Sequence, residues 1–458
     1  MAENYEQTLA HVNTNSKPTD LKITDMRFVD IVGAPMHCTL LRIETNQGIT
    51  GYGEVRDGAS KLYAQMLKRF LIGENPCNID KIFRRIKQFG GQSRQAGGVC
   101  GVELALWDIA GKAYGIPVYQ MLGGKFRDKV RMYCDTDVDG KDTGLNMGDA
   151  LKKRVEKHGY TMLKMDLGIN QLWDVEGGLC APVGFLEQYG YTAKMAREAK
   201  ARGDKAAARW WANRNYDVNN IAHPFTGIHI TKKGLDYLEN YVKEVRSVIG
   251  YEIPLSIDHF GHIGVEDCIK LANRLENYNM CWLEDMIPWQ LTDQYVRLHN
   301  ASTTPIATGE DIYLLENFKP LLDNRAVSII HPDILSSGGI YETKKIGDYA
   351  EECGVAMALH MAETPVACLA AVHVAAATNN FLGLEFHSND VDWWSDMVKD
   401  TEKPKIVDGF MAVPEKPGIG IDELDDEVLA EHIHPEIPGL WESTDEWNDW
   451  ISHDRLWS

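Results

Sequence analysis

From about residue 130 onward, short apolar runs alternate with amphipathic stretches, and this rhythm limits the possible folds more than any other feature of the chain. The runs are TMLKMDL, IPLSIDHF, MCWLED, PIATGED, VSIIHPDI, VAMALHM and FLGLEFH. Between them, segments such as VEDCIKLANRLENY put Val265, Cys268, Ile269, Ala272 and Leu275 on one helical face. Strands that are apolar on both faces and separated by helices imply a parallel sheet covered on both sides. Seven such units between residues 131 and 400 favour a closed (β/α) barrel over an open sheet.

Nearly every run ends in an ionisable residue: Asp258, Glu284, Glu310, Asp333, His360 and Glu385, at intervals of 26, 26, 23, 27 and 25 residues. Barrel active sites are built at the C-terminal ends of strands, so this spacing sets six side chains around one mouth. Asp258, Glu284 and Glu310 cannot share that mouth while ionised unless a cation neutralises them. Oxygen donors from separate strands suit a hard ion such as Mg2+. Acids that merely cap the following helices are the structural alternative. Asp333 and His360 come from neighbouring strands, and a carboxylate on one ring nitrogen would make the other a general base or acid.

The stretch MLKMDLG adds Lys164 and Asp166, which point to the same side of a strand because side chains alternate. They are expected to line the mouth opposite His360. Lys164 would remove a proton or stabilise an anion. Asp166 would raise the pKa of the lysine, accept substrate hydroxyls or act as the base. A buried Lys–Asp pair that only holds the strand is the alternative.

Residues 1–20 read as a flexible polar tail with no apolar leader core. Residues 21–130 read as an α+β domain, in which HCTLLRIETNQGITGYGEV forms a hairpin turning at Asn46-Gln47-Gly48. The barrel, 131–400, is interrupted at about 169–232 by an Ala-rich, Lys- and Arg-rich stretch, expected to be a solvated helix or an oligomer contact. The Trp-rich segment 401–458 is expected to return to the first domain, because its apolar surface would not stay in water. A net charge of −20 argues against nucleic acid and anionic membranes as partners. No apolar run reaches membrane-spanning length. Nine scattered cysteines with no CxxC pair fit the reduced thiols of a cytoplasmic protein.

Taken together, GITGYGE, ALWDIAGKAYGIPVYQMLGG, SIDHF, WLEDMIP, ATGED, HPDILSSGGI, ALHMAETP, LEFHSNDVDWW and DGFMAVPEKPGIGI resemble the enolase superfamily. Within it the resemblance is to the mandelate racemase subgroup and its sugar-acid dehydratases, over roughly residues 21–425. It implies a modified TIM barrel with an N-terminal α+β capping domain, whose loops around Val32–Cys38 and Arg56–Ser60 select the substrate. It also implies Mg2+ on Asp258, Glu284 and Glu310, an acid/base dyad of His360 and Asp333, and Glu385 hydrogen-bonded to the substrate carboxylate. Lys164 and Asp166 fall at the subgroup's Lys-x-Lys position, where Asp166 replaces a second lysine that would serve as a base facing His360.

A proton α to a carboxylate is a very weak acid, so its removal needs a metal and preorganised charge to stabilise the enediolate. Racemisation also needs a base on each face of the carbon, and the second lysine is missing. Elimination needs only one competent dyad. Dehydration of an acid sugar to a 2-keto-3-deoxy acid is therefore expected, in a homo-oligomer. The alternatives are a cycloisomerase, epimerase or racemase on a related hydroxy acid or lactone, a metal-free barrel glycosidase, and a barrel retained as a scaffold.

Overall fold

Side chains alternate along a strand, so residues two apart stack in layers inside a barrel. Here the inward rows climb from apolar to polar: Met162 to Lys164 to Asp166, Trp282 to Glu284, Ile329 to His331 to Asp333, Ala358 to His360, Gly383 to Glu385 to His387. Tyr133, Met162, Trp282, Ala307, Ile329 and Ala358 form one buried cluster at the lower level. The computed structural model describes residues 20–138, 140–219, 227–258 and 263–449. The tail expected over 1–20 lies outside them except for Asp20.

The first strands, β1 (Ile23–Val32), β2 (His37–Thr45) and β3 (Thr50–Val55), make an antiparallel sheet in that order. The β2–β3 turn uses Gly48 at φ +76°, a conformation that favours glycine. Helix Gly97–Tyr114 lies so close to β3 that a Cβ on Gly53 would stand 2.0 Å from the Gly101 carbonyl oxygen. A Cβ on Gly101 would stand 2.4 Å from the carbonyl oxygen of Glu54.

The barrel begins with β4 (Lys129–Cys134) and β5 (Leu163–Asp166). An insertion follows, in which β6 (Leu179–Cys180) pairs with β7 (His229–Ile230) and helices Phe185–Ala201 and Lys205–Asn219 pack together. This helical pair exposes Tyr191, Trp210 and Tyr216. The barrel resumes with β8 (Leu255–Asp258), β9 (Met280–Glu284), β10 (Ile306–Thr308), β11 (Ile329–Ile330), β12 (Ala356–Leu359) and β13 (Phe381–Phe386). Among the described residues these eight strands are parallel, and β13 closes the ring on β4. Two 3-10 turns, Ser388–Asp390 and Trp394–Met397, follow β13 where a regular barrel has its eighth helix. Next come β14 (Ile406–Val407) and β15 (Phe410–Ala412), and β15 pairs antiparallel with β4.

The cap is docked on the barrel by buried acids at helix N-termini, where free N–H groups and the helix dipole favour an anion. Glu54 accepts from Thr364 N, Thr364 Oγ1 and Ala367 N at the start of helix Pro365–Ala377. Glu103 does the same with Ile340 N and Tyr341 N at the start of helix Gly339–Glu352. The segment after β15 crosses back to the cap, where Ile433 bridges Ile31 and Leu440 bridges Val29. His432 stacks on Trp393 with ring centroids 3.5 Å apart, and its carbonyl accepts from Val32 N. Among the described residues, no helix is long and apolar enough to cross a membrane.

The contact of helix Gly97–Tyr114 with β3 has no room for a methyl group, and backbone cannot yield as a flexible side chain does. Gly101→Ala should therefore destabilise the protein by about 1–3 kcal/mol, read as a lower midpoint in thermal unfolding. An unchanged midpoint would mean that the helix is not seated this closely.

Candidate active site

Above the polar rows lies a cavity of about 470 Å³ at the C-terminal mouth of the barrel. Lys164, Asp166, Asp258, Glu310 and His360 line it, together with Asp135, Asp137, His387 and Asp390 from the strand ends. The cap contributes Pro35, Met36, Arg56, Asp57 and Arg94. No described residue of the insertion lines it. Five of the eight residues expected at the mouth therefore reach the cavity wall. The other three, Glu284, Asp333 and Glu385, are fully buried beside it.

Lys164 is the centre of the layer beneath. Its Nζ stands 2.6 Å from Glu385 Oε1, 3.3 Å from both Asp258 Oδ2 and Glu284 Oε1, and 3.8 Å from Asp135 Oδ1. Burial alone would strip its proton, but Glu284, Glu385, Asp258 and Asp135 hold its pKa well above the usual lysine range. Asp166 makes no ion pair within 4 Å of it, although Lys164 still draws the Asp166 pKa down; the acids that hold the lysine's charge are the other four. Burial and the nearby Asp135 and Asp258 outweigh that pull and push the Asp166 carboxyl well up. Glu385 contacts Lys164, His331 Nε2 at 3.3 Å and His387 Nε2 at 3.2 Å, and lies below the cavity floor. It does not stand on the wall expected to meet a substrate carboxylate.

Asp333 and His360 are bridged neighbours, as adjacent strands at matching depth require. Nδ1 of His360 is 2.5 Å from Asp333 Oδ2, and Nε2 is turned to Glu310 Oε2 at 3.3 Å. Asp333 is kept low despite burial by Arg56 and His360. Burial and Arg56 in turn lower the His360 pKa, which keeps the ring neutral. A neutral imidazole that donates Nδ1–H has its lone pair on Nε2, the arrangement of a base.

Two of the three expected donors, Glu284 and Glu310, converge with His331 in a group that could hold a divalent cation. Asp258 pairs in register with Glu284 on the next strand, and Glu310 follows β10. Asp258 does not join this group, in which one ligand atom of each residue lies within 4.8 Å of the others; it faces Lys164 Nζ at 3.3 Å instead. Burial and Glu284 push Asp258 up to about 7, and burial and Asp311 push Glu310 well above its usual range. Glu284 stays ionised at about 2 because His331 and Lys164 outweigh its burial. Two of the three carboxylates are thus short of positive charge, the condition a bound dication relieves. Asp285 and Asp311 do not line the cavity; Asp285 accepts from Thr308 Oγ1 at 2.6 Å instead.

Sequence reading missed several groups. His331 lies 2.6 Å from Glu284 Oε1 and 2.5 Å from Tyr133 Oη, and its two acids lift its pKa to about 10 against burial. It sits two residues before Asp333, just past β11, and His387 sits two residues after Glu385, just past β13, so a period of two carried beyond the strand ends would have found both. Arg56 and Glu363, which surround Asp333, carry no such signal.

Two family models cover the chain: the mandelate racemase/muconate lactonizing enzyme N-terminal domain over residues 5–123, and the enolase C-terminal domain-like model over 146–428. The chain is 31% identical over 434 residues to a D-xylonate dehydratase of Haloferax volcanii, covering 93% of this chain and 92% of that one. It is 27% identical to a D-galactonate dehydratase of Verminephrobacter eiseniae over 88% of this chain and 92% of that protein. A solved mandelate racemase/muconate lactonizing enzyme-like protein from Rubrobacter xylanophilus superposes with a TM-score of 0.75 at 27% identity, over 92% of this chain and 99% of that one. By these matches and by its capped, closed barrel, the chain belongs to the mandelate racemase/muconate lactonizing enzyme family of the enolase superfamily.

Proposed function

We propose that the chain is a Mg2+-dependent dehydratase of a sugar acid, an aldonate or aldarate, which it converts to the 2-keto-3-deoxy acid with loss of water. The observation that carries this reading is a histidine held by Asp333, whose Nε2 is turned to Glu310 in a cavity shared with clustered carboxylates and a charged lysine. The relatives named D-xylonate and D-galactonate dehydratase support the same reaction.

Asp258, Glu284 and Glu310 would hold a divalent cation, whose charge would acidify the C–H bond next to the substrate carboxylate. All-oxygen side-chain donors make Mg2+ the expected ion. His360 Nε2 takes the α-proton and becomes Nε2–H. It then gives that proton to the hydroxyl leaving the β-carbon. One C–H and one C–O bond break, water departs, and the enol tautomerises to the ketone. Lys164, kept charged by four acids, has no lone pair for a proton and instead stabilises developing negative charge. Asp135, Asp137 and Asp166 are acceptors for the hydroxyls of a polyol. Glu385, beneath the floor, acts by holding Lys164 and His387 in place. With Lys164 unable to act as a base, elimination is favoured over racemisation.

A screen of aldonic and aldaric acids in D2O, read for a new 2-keto group, tests the reaction. Solvent deuterium entering the α-position without loss of water would replace dehydration by epimerisation. Thorough EDTA treatment should abolish turnover and Mg2+ should restore it; activity that survives chelation overturns the metal assignment. His360→Asn should cut kcat by about 10⁴-fold, since one group serves as base and then acid, while calorimetry still detects Mg2+ binding. Asp166→Asn should raise KM by about tenfold, the loss of one hydroxyl contact of roughly 1.4 kcal/mol, with kcat changed less than threefold. A collapse of kcat instead would make Asp166 a participant in proton transfer.

A further inference from the structure

Arg56 follows β3 and reaches from the cap into the barrel mouth, with only 1% of its side chain exposed. Its Nη1 donates to Asp333 Oδ2 and to Glu363 Oε1, each at 2.6 Å. The same nitrogen stands 2.8 Å from Asp57 Oδ1 and 3.1 Å from His360 Nδ1, while Nη2 is 3.7 Å from Glu310 Oε1. One guanidinium thus meets the carboxylate that orients His360, a second carboxylate on the loop after β12, and the imidazole itself.

The remaining valences are filled from the backbone. Leu335 N donates to Asp333 Oδ1 at 2.6 Å, and Ala362 N donates to Glu363 Oε2 at 2.7 Å. Asp333 is therefore held on both oxygens by groups other than the histidine, and its plane is fixed. A guanidinium has no acceptor, so the only acceptor among these neighbours that His360 Nδ1–H can use is Asp333 Oδ2, at 2.5 Å. The ring's tautomer and orientation then follow from Asp333 Oδ2, the same oxygen that Arg56 Nη1 holds. Stability does not account for the cluster, since a buried charge network rarely outperforms apolar packing of equal volume.

We infer that Arg56 is a positioning residue of the His360–Asp333 dyad, so that the base is assembled only when the cap is docked on the barrel. This role differs from the substrate selection expected of the Arg56–Ser60 loop, and it rests on the dehydratase reading above. Lysine cannot substitute fully, because an ammonium keeps the charge but lacks the second nitrogen, Nη2, that faces Glu310 while Nη1 holds Asp333 and Glu363.

The test uses the full Mg2+-loaded chain with Arg56→Ala and Arg56→Lys. The alanine variant should lose about 100-fold or more in kcat with KM within about threefold, the pattern of an interaction needed in the transition state rather than for substrate binding. Millimolar guanidinium should restore at least about tenfold of that loss, while urea, of the same shape but neutral, should restore none. Arg56→Lys should fall between wild type and alanine, and it serves if the alanine variant does not fold. Backbone amide exchange, followed without substrate, should accelerate over residues 333–337 and 361–364 in Arg56→Ala. A KM rise with kcat preserved would make Arg56 a substrate contact and overturn the inference. A kcat loss that guanidinium does not recover, with exchange unchanged, would overturn it as well. If the wild-type protein turned over no sugar acid, the functional reading would fail, and the exchange measurement would still decide whether Arg56 holds these two loops.

Discussion

An ammonium group sealed from water must be surrounded by anions, and Lys164 imposes that requirement on the whole barrel interior. Its neighbours Asp258, Glu284, Asp135 and Glu385 come from four other strands or their ends, so the charge can be satisfied only when the ring is closed. Removing one partner from such a cluster leaves an uncompensated buried charge, which costs about 3–5 kcal/mol. The layer below is apolar, and it forces the polar side chains upward into one plane beneath the cavity. Gly383 belongs to the same logic: a Cβ there would stand 3.0 Å from the Tyr133 ring, whose hydroxyl holds His331.

The cap meets this interior in two different ways. Glu54 and Glu103 bind the backbone of barrel helices, which fixes where the cap sits. Arg56 binds the side chains that carry the chemistry. Strand β3 supplies both Glu54 and, one residue past its end, Arg56, so the fixing contact and the functional contact are two residues apart. They point the same way because side chains alternate with a period of two.

The fold was legible in the sequence because each barrel strand repeats a local pattern, an apolar run that ends in an ionisable residue about 25 positions after the last. Asp258, Glu310 and His360 were legible on the cavity wall for the same reason. The partner of Lys164 was not. Adjacency within MLKMDLG suggested Asp166, but two residues on one face of a strand are separated by the strand's rise, whereas Glu385 on a distant strand tilts across the ring to meet it. Arg56 was hidden more deeply, because its contact with Asp333 spans 277 residues and nothing periodic links a cap hairpin to a barrel strand. The depth of Glu385 was not legible, because the chain reaches the cavity only at His387, just past the end of β13.

Strand β1 completes its edge with residues 433 and 440, which follow the whole barrel in the sequence. The loop that follows β1 carries Pro35 and Met36, and Val32 N at its entrance bonds to the carbonyl of His432. A ribosome releases the N-terminal hairpin first, yet that hairpin waits for the entire barrel to be synthesised before its last edge is covered. Such a long sequence separation slows closure and leaves a strand edge open to stray pairing in the meantime. An element made before the barrel is thus completed only after it, and a nascent chain halted before residue 433 would carry a barrel without a complete roof.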